Sequence, residues 1–360
     1  MLFKQIIALS LRHKLIVSLL IIGLIGGGIY SLKNIPLDAV PDITNNQVQV
    51  VTVSPSLSPQ EVEKFITYPV ETGLRNLPDV VEVRSISRYG LSVVTIVFED
   101  KVPVLNARQL VKEQLDVVAD HIPPYMGKPE LMPITTGLGE IYQYVIVKKK
   151  GYEHWYNAMD LRTVQDWIVK RQLGGIPGII EVSSLGGLLK QYEVAVNPLQ
   201  LQSTNTTIQE VLEALKVNNQ NNGASYIEDE HYAFYIRTEG VVKDFEEIEQ
   251  IVIKHNNNIP VLVRDVAEVR FGNAKRYGAM TMDGKGEVVG GITLMLKGAN
   301  SSQTISSVQG RIELVKKSLP EGLDIYPYLD RSVLVGKTIQ TVSRNLIEGG
   351  IIVILVLVLV

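Results

Sequence analysis

Residues 15–30 form an uncharged stretch rich in Leu and Ile, extended by Ser31 and Leu32. It is long enough to cross a hydrocarbon core, which needs roughly 17 to 25 apolar residues. Lys4, Arg12 and Lys14 precede it, Lys33 alone follows closely, and no acid occurs before Asp38. That basic asymmetry predicts a cytoplasmic N-terminus and a body on the far side of the membrane. The run is glycine-rich and no small-x-small cleavage site follows it, so an uncleaved anchor is expected rather than a signal peptide. Residues 351–360 read IIVILVLVLV; at about 1.5 Å per residue they cover about half of a roughly 30 Å apolar slab. Even a helix begun near Leu334 has no closing polar flank. The expectation is the N-terminal part of a larger polytopic membrane protein, with its second span cut short.

Between these spans the pattern is that of a water-facing module. Ser58, Pro59 and Glu61 supply an N-cap, a first-turn proline and a capping box. Val62, Phe65, Ile66, Val70 and Leu74 follow at helical spacing, and Leu77-Pro78 ends the helix. The same punctuation ends helices predicted over 107–121 (Ile122-Pro123), 161–173 (Ile176-Pro177) and 304–318 (Leu319-Pro320). The last carries Ile305, Val308, Ile312, Val315 and Leu319 as an apolar stripe. Strands are predicted over 47–53, 80–87, 92–99, 141–147, 179–184, 288–296 and 323–328. Residues 77–85 (LPDVVEVRS) parallel residues 176–184 (IPGIIEVSS), which points to a duplicated βα unit. The element order predicts two split βαβ sandwiches of ferredoxin-like type.

The second sandwich is interrupted between Lys190 and Gly272. The insert is expected to hold a strand over 191–196, a helix opened by the capping box Thr207-x-x-Glu210, an Asn-rich turn at 218–223 and an alternating segment over 226–238. A short acidic helix near 244–249 and a β pair within 251–270 close it. Because the parent sandwich is complete without it, this subdomain is expected to meet a partner. The stretch 218–229, polar and Asn-rich, is the expected protruding element that touches a neighbouring protomer.

Composition narrows the chemistry. The chain of 360 residues is 46% hydrophobic and 20% charged, which excludes bulk disorder. It contains no cysteine, so disulfides, thiolate metal sites and a cysteine nucleophile are excluded. A net charge of -3, from 35 basic and 38 acidic residues, provides no field for nucleic acid, and none is expected as a partner. The five histidines are scattered without metal-ligand spacing, and no H-E-x-x-H or G-x-S-x-G occurs. Residues 279–285 end in Gly-Lys but lack the first glycine and the Ser or Thr of a phosphate-binding loop, so they read as a turn. Met280 and Met282 could be thioether ligands for Cu(I), but alternate residues on a strand share one face and read better as a packed pair. No enzymatic activity and no cofactor are expected.

Several segments carry a family resemblance: 35–47 (IPLDAVPDITNNQ), 67–78 (TYPVETGLRNLP), 84–92 (RSISRYGLS), 135–144 (TTGLGEIYQY), 160–167 (DLRTVQDW) and 330–332 (DRS). They run through nearly the whole chain, which resembles the N-terminal third of a resistance-nodulation-division (RND) efflux transporter of the heavy-metal branch. The resemblance implies an α+β membrane protein. A first transmembrane helix (1–33) leads to porter subdomain PN1 (34–135). PN2 (136–189 and 273–332) is split around docking subdomain DN (190–272), and a truncated second transmembrane helix (333–360) follows. It also implies a proton-driven, homotrimeric pump of the inner membrane of a Gram-negative bacterium, in contact with its lipid and with 34–332 in the periplasm. The pump would export metal cations through a periplasmic adaptor protein and an outer-membrane channel. The proton-relay residues and much of the metal pathway are expected beyond Val360, so the chain alone is not expected to transport. A drug or lipid exporter of the same superfamily and a membrane-anchored periplasmic scaffold or adaptor are the alternatives.

For the cargo, the resemblance separates methionine-based Cu(I) and Ag(I) exporters from exporters of divalent zinc, cobalt or cadmium, which are expected to use carboxylate and imidazole ligands. The loop 135–140 joins PN1 to PN2. Its two glycines are expected to free the backbone to present Glu140, where copper-type relatives carry a bulky apolar residue. Glu140 is the expected ligand or attraction point for a divalent cation, with Asp38 and Asp42 as further candidates near the periplasmic entrance. The alternative is that Glu140 is solvated or paired with a lysine.

Overall fold

The computed structural model describes residues 12–34, 43–221, 223–229, 231–237, 239–256, 258–276 and 278–359. The chain divides into two compact units. The first comprises Met1–Val147, Ile168–Ser184 and Gly291–Val360, the second Lys148–Trp167 and Leu185–Gly290. The first unit opens with the helix Lys14–Asn34, which spans the N-terminal apolar run.

Its first sheet holds β1 (Gln47–Val53), β2 (Val80–Arg88), β3 (Leu91–Phe98) and the short β4 (Glu130–Leu131) in the order β2-β3-β1-β4. β1 runs antiparallel to β3, with Gln47 opposite Val97 and Val53 opposite Leu91, and antiparallel to β4. Alternation sends Val48 and Val50 into a core shared with Val94, Ile96 and Phe98. The helix Val104–Ala119 closes that core with Ala107, Val111, Leu115 and Val118. The apolar residue before each proline has a packing role as well as marking a helix end: Ile122 joins this core, and Leu77 packs against it.

The helix expected after Ser58 differs in detail. The capping box forms as predicted, with Glu61 N–H donating to Ser58 Oγ and Ser58 N–H to the Glu61 carboxylate. The helix then runs as Pro59–Val62, a π-helical turn Glu63–Thr67, and Tyr68–Leu74. Val62, Ile66, Val70 and Leu74, each four residues from the next, are all fully buried. In an unbroken α-helix such a series drifts by about 40° per step off one face; the wider turn takes up that drift and keeps the stripe on the core. Phe65 is the casualty and stands 39% exposed under Lys64 Nζ at 5.3 Å.

A second sheet repeats the order. β5 (Glu140–Lys148), β6 (Ile179–Leu185), β14 (Glu287–Met295) and β15 (Leu323–Asp330) lie as β6-β14-β5-β15. The helix Ser301–Ser318 buries Ile305, Val308, Ile312 and Val315 as the stripe predicts. The segment leading to β6 repeats the earlier arrangement, as Ala158–Val164, a π turn Gln165–Val169 and Lys170–Leu173. Leu161, Gln165, Val169 and Leu173, again four apart, are buried. β15 passes directly into the helix Arg331–Leu359, which is long and apolar enough to cross a membrane.

The second unit contains an antiparallel ribbon of β7 (Lys190–Val196) and β12 (Ala267–Asn273), with Lys190 opposite Asn273, so the intervening chain leaves and returns at one place. The helix Ile208–Val217 carries the predicted capping box, and Asp244 caps Phe245–Glu249. The β pair expected within 251–270 divides: β10 (Val252–Asn256) pairs with β11 (Ile259–Leu262), whereas β12 turns to β7. Leu201, Val211, Ala214, Ile248, Val263, Val266 and Val269 form the core. The alternating segment becomes a hairpin of β8 (Gly223–Asp229) and β9 (Tyr232–Arg237). Here too the short β13 (Met280–Thr281) pairs with the start of β14, Met280 opposite Val288.

Candidate functional site

Glu140 is the first residue of β5, and the loop before it is tied down from several sides. Gly137 N–H donates to Thr44 Oγ1 at 3.2 Å, and Leu138 N–H to Thr136 Oγ1 at 3.2 Å. Gly139 N–H closes a tight turn onto Thr136 O at 2.9 Å. The strand end at Met295 donates to Gly139 O at 2.7 Å, and Lys297 N–H to Ile134 O at 3.3 Å. From the start of the apolar helix, Arg331 Nη1 donates to Leu138 O.

The glycines serve this loop differently from the expectation. Neither Gly137 nor Gly139 has a positive φ. Gly139 sits in a crowded spot, where a Cβ would lie 1.9 Å from Thr135 Oγ1 and 3.1 Å from Thr136 O, so a side chain there would displace Thr135. The loop is therefore held, not freed, in front of Glu140.

The Glu140 side chain is exposed, and its carboxylate accepts from Gln143 Nε2 at 2.5 Å. Among the described residues no lysine pairs with it. Tyr328 on β15 feels it: burial, and then the negative charge of Glu140, hold the phenol above its ordinary range. Asp38 and Asp42 lie outside the described residues. Among the described residues no three His, Asp or Glu side chains converge as a metal cage. What the site offers is one accessible carboxylate on a fixed backbone, and a single carboxylate needs further ligands to hold a cation.

The expected protruding element takes a clearer form. Two of its asparagines are structural: Asn221 Oδ1 accepts from Gly240 N–H and Val241 N–H, and Asn219 Oδ1 from Val242 N–H. They clamp the base of the β8–β9 hairpin. The hairpin itself exposes Tyr226, Tyr232, Phe234 and Tyr235, with the Tyr226 and Tyr235 rings 6.0 Å apart. Sequence reasoning put weight on the polar turn and missed these aromatics, although their dense alternation over 226–238 was the available signal.

The repeated sheets and apolar helices make an α+β fold, and comparison with known proteins gives its family. The family model AcrB/AcrD/AcrF matches residues 6–360, and the chain belongs to that family. It is 40% identical over 99% of its length to the cobalt-zinc-cadmium resistance protein CzcA of Cupriavidus metallidurans, and 42% identical over 98% to protein HelA of Legionella pneumophila. Each alignment covers 34% of the relative, so the chain spans about a third of the length of the curated relatives it matches. The crystal structure of a heavy metal efflux pump superposes with a TM-score of 0.87 at 33% identity, over 98% of this chain and 35% of that one. The family resemblance read from the sequence motifs is the one the comparisons show.

Proposed function

We propose that this chain is the N-terminal part of a proton-driven cation efflux pump of the inner membrane that exports divalent cations such as zinc, cobalt or cadmium. Residues 34–135 and 136–189 with 273–332 are read as two ferredoxin-like porter subdomains in the periplasm, supported by the strand order that both sheets share. Residues 190–272 are read as the docking subdomain, supported by the closure of the β7–β12 ribbon at Lys190 and Asn273. The segments 1–33 and 333–360 are read as membrane-spanning. The exposed aromatics of the β8–β9 hairpin favour a seat against a neighbouring protomer of a homotrimer, and a periplasmic adaptor and outer-membrane channel complete the export path. Glu140 is read as an attraction point for the cation, with Asp38 and Asp42 nearer the entrance.

The observation that carries this reading is the match along 99% of the chain to a relative named for cobalt, zinc and cadmium resistance. The test is expression of the complete protein in an efflux-deficient, metal-sensitive host. Restored growth in Zn²⁺, Co²⁺ and Cd²⁺ is expected. Tolerance of dyes and detergents without metal tolerance would instead identify a drug or lipid exporter, and no gain at equal membrane level would identify a scaffold.

A further inference from the structure

Arg331 lies within the Asp-Arg-Ser motif at residues 330–332, whose chemistry the reading above does not use. Its backbone is rigidly placed. Asp330 caps the apolar helix, its Oδ1 accepting from Ser332 N–H at 2.9 Å. Gln309 Nε2, from the helix Ser301–Ser318, donates to Asp330 Oδ2 at 2.6 Å and to Ser332 Oγ at 3.1 Å. From that anchored start the half-buried Arg331 side chain reaches 193 residues back in sequence to the Leu138 carbonyl. Among the described residues no carboxylate pairs with its guanidinium, so a full charge is committed to one backbone acceptor.

That acceptor matters because of where it lies. The peptide planes after Leu138 and Gly139 fix the direction in which Glu140 leaves the backbone. Arg331 holds the first carbonyl and Met295 N–H the second. Thr136 Oγ1 holds the Leu138 N–H from the other side. We infer that Arg331 is a positioning residue: by gripping the Leu138 carbonyl it sets the orientation of the Glu140 carboxylate toward a divalent cation. The inference rests on the reading of Glu140 given above. It assigns Arg331 a role in cation affinity that its distance in sequence conceals, since outer partners that orient a ligand typically change metal affinity by about 10- to 100-fold when removed.

The test is titration of the purified, detergent-solubilised complete protein with Zn²⁺, following the Kd of the Glu140-dependent site and the thermal unfolding midpoint together. Arg331→Gln is expected to weaken Zn²⁺ about tenfold at an unchanged midpoint. Arg331→Lys, which keeps the charge and a donor, is expected to recover most of the affinity. Combining Arg331→Gln with Glu140→Gln should add nothing to Glu140→Gln alone, because both act through one carboxylate. An unchanged Kd, additive losses, or tighter binding in Arg331→Gln would overturn the proposal; the last would show the guanidinium acting as a repelling field. If Arg331→Gln does not fold, Thr136→Val loosens the adjoining peptide on the other side of the Leu138 Cα, and an unchanged Kd there overturns the proposal equally. Should Glu140→Gln itself leave Zn²⁺ binding intact, the cation reading of Glu140 falls. If Glu140→Gln weakens binding and Arg331→Gln does not, only the positioning role falls.

Discussion

Thr67 closes the first π turn, and its hydroxyl is the polar contact between that turn and the sheet. Its Oγ1 lies 2.8 Å from Ser87 Oγ on β2 and 2.8 Å from Ser92 Oγ on β3. Thr67 and Ser92 are each 1% exposed, whereas Ser87 is half-buried. Thr67→Val keeps the shape and removes both bonds. Each bond contributes about 1 kcal/mol net, and a buried hydroxyl left alone costs about 1 to 3 kcal/mol. Ser87 can turn to water and Ser92 cannot, so the expected loss is about 2 to 3 kcal/mol. Adding Ser92→Ala removes the orphan and should return about 1 kcal/mol or more, the double variant being more stable than the single. Amide hydrogen exchange over 93–97 of β3, in the complete protein in detergent, reads this directly. The single variant should exchange roughly 30- to 150-fold faster, and the double variant should fall back toward wild type. Equal exchange in the two variants, or less than about a twofold change in the single, would refute the assignment of the triad as a buried, mutually satisfied network.

The repeat makes a paired prediction at Asp79 and Gly178, which occupy matching places after Leu77-Pro78 and Ile176-Pro177. Gly178→Ala should cost at least about 2 kcal/mol in thermal unfolding, because φ is +88° and a Cβ would sit 2.4 Å from Thr304 Oγ1. Asp79→Gly should change stability by less than about 1 kcal/mol, since relief of the φ of 60° is offset by loss of the exposed pair with Lys101 at 3.0 Å. Burial, and then the charges of Asp330 and Glu313, push the Tyr142 phenol up to about 12. A raised value means the folded state holds the proton more tightly, so this contribution is complete below about pH 10 and is lost as pH rises through about 12, amounting to at most about 2 to 3 kcal/mol. Tyr142→Phe should flatten the stability profile over that window, as measured by unfolding midpoints at stepped pH.

Much of the architecture was legible because it rests on local signals. Ser58-x-x-Glu61 and Thr207-x-x-Glu210 form the capping boxes their spacing predicts. Period-two alternation located β1 to the residue, and the Ile305–Val315 stripe is buried as read. The π turns were missed because a helical template tolerates both three- and four-residue spacing. The strict four-residue series Val62, Ile66, Val70, Leu74, repeated as Leu161, Gln165, Val169, Leu173, was the available clue, and it would also have turned Phe65 outward. At the candidate site the sequence pointed to Glu140 but not to what holds it. Arg331 and Leu138 meet only through the tertiary fold, and the crowding of Gly139 by Thr135 is not encoded in any spacing. The asparagines at 219 and 221 looked like an exposed contact loop because their partners, the amides at 240–242, lie across the hairpin.

The most direct test of the central claim is the metal tolerance given to an efflux-deficient host by the complete protein, compared with Glu140→Gln at equal membrane level. This change removes the charge at nearly constant shape. The account predicts that wild type protects against Zn²⁺, Co²⁺ and Cd²⁺ and that Glu140→Gln loses most of that protection. Unchanged tolerance in the variant would remove Glu140 from the cation path, and protection by wild type against Cu⁺ or Ag⁺ alone would contradict the divalent assignment.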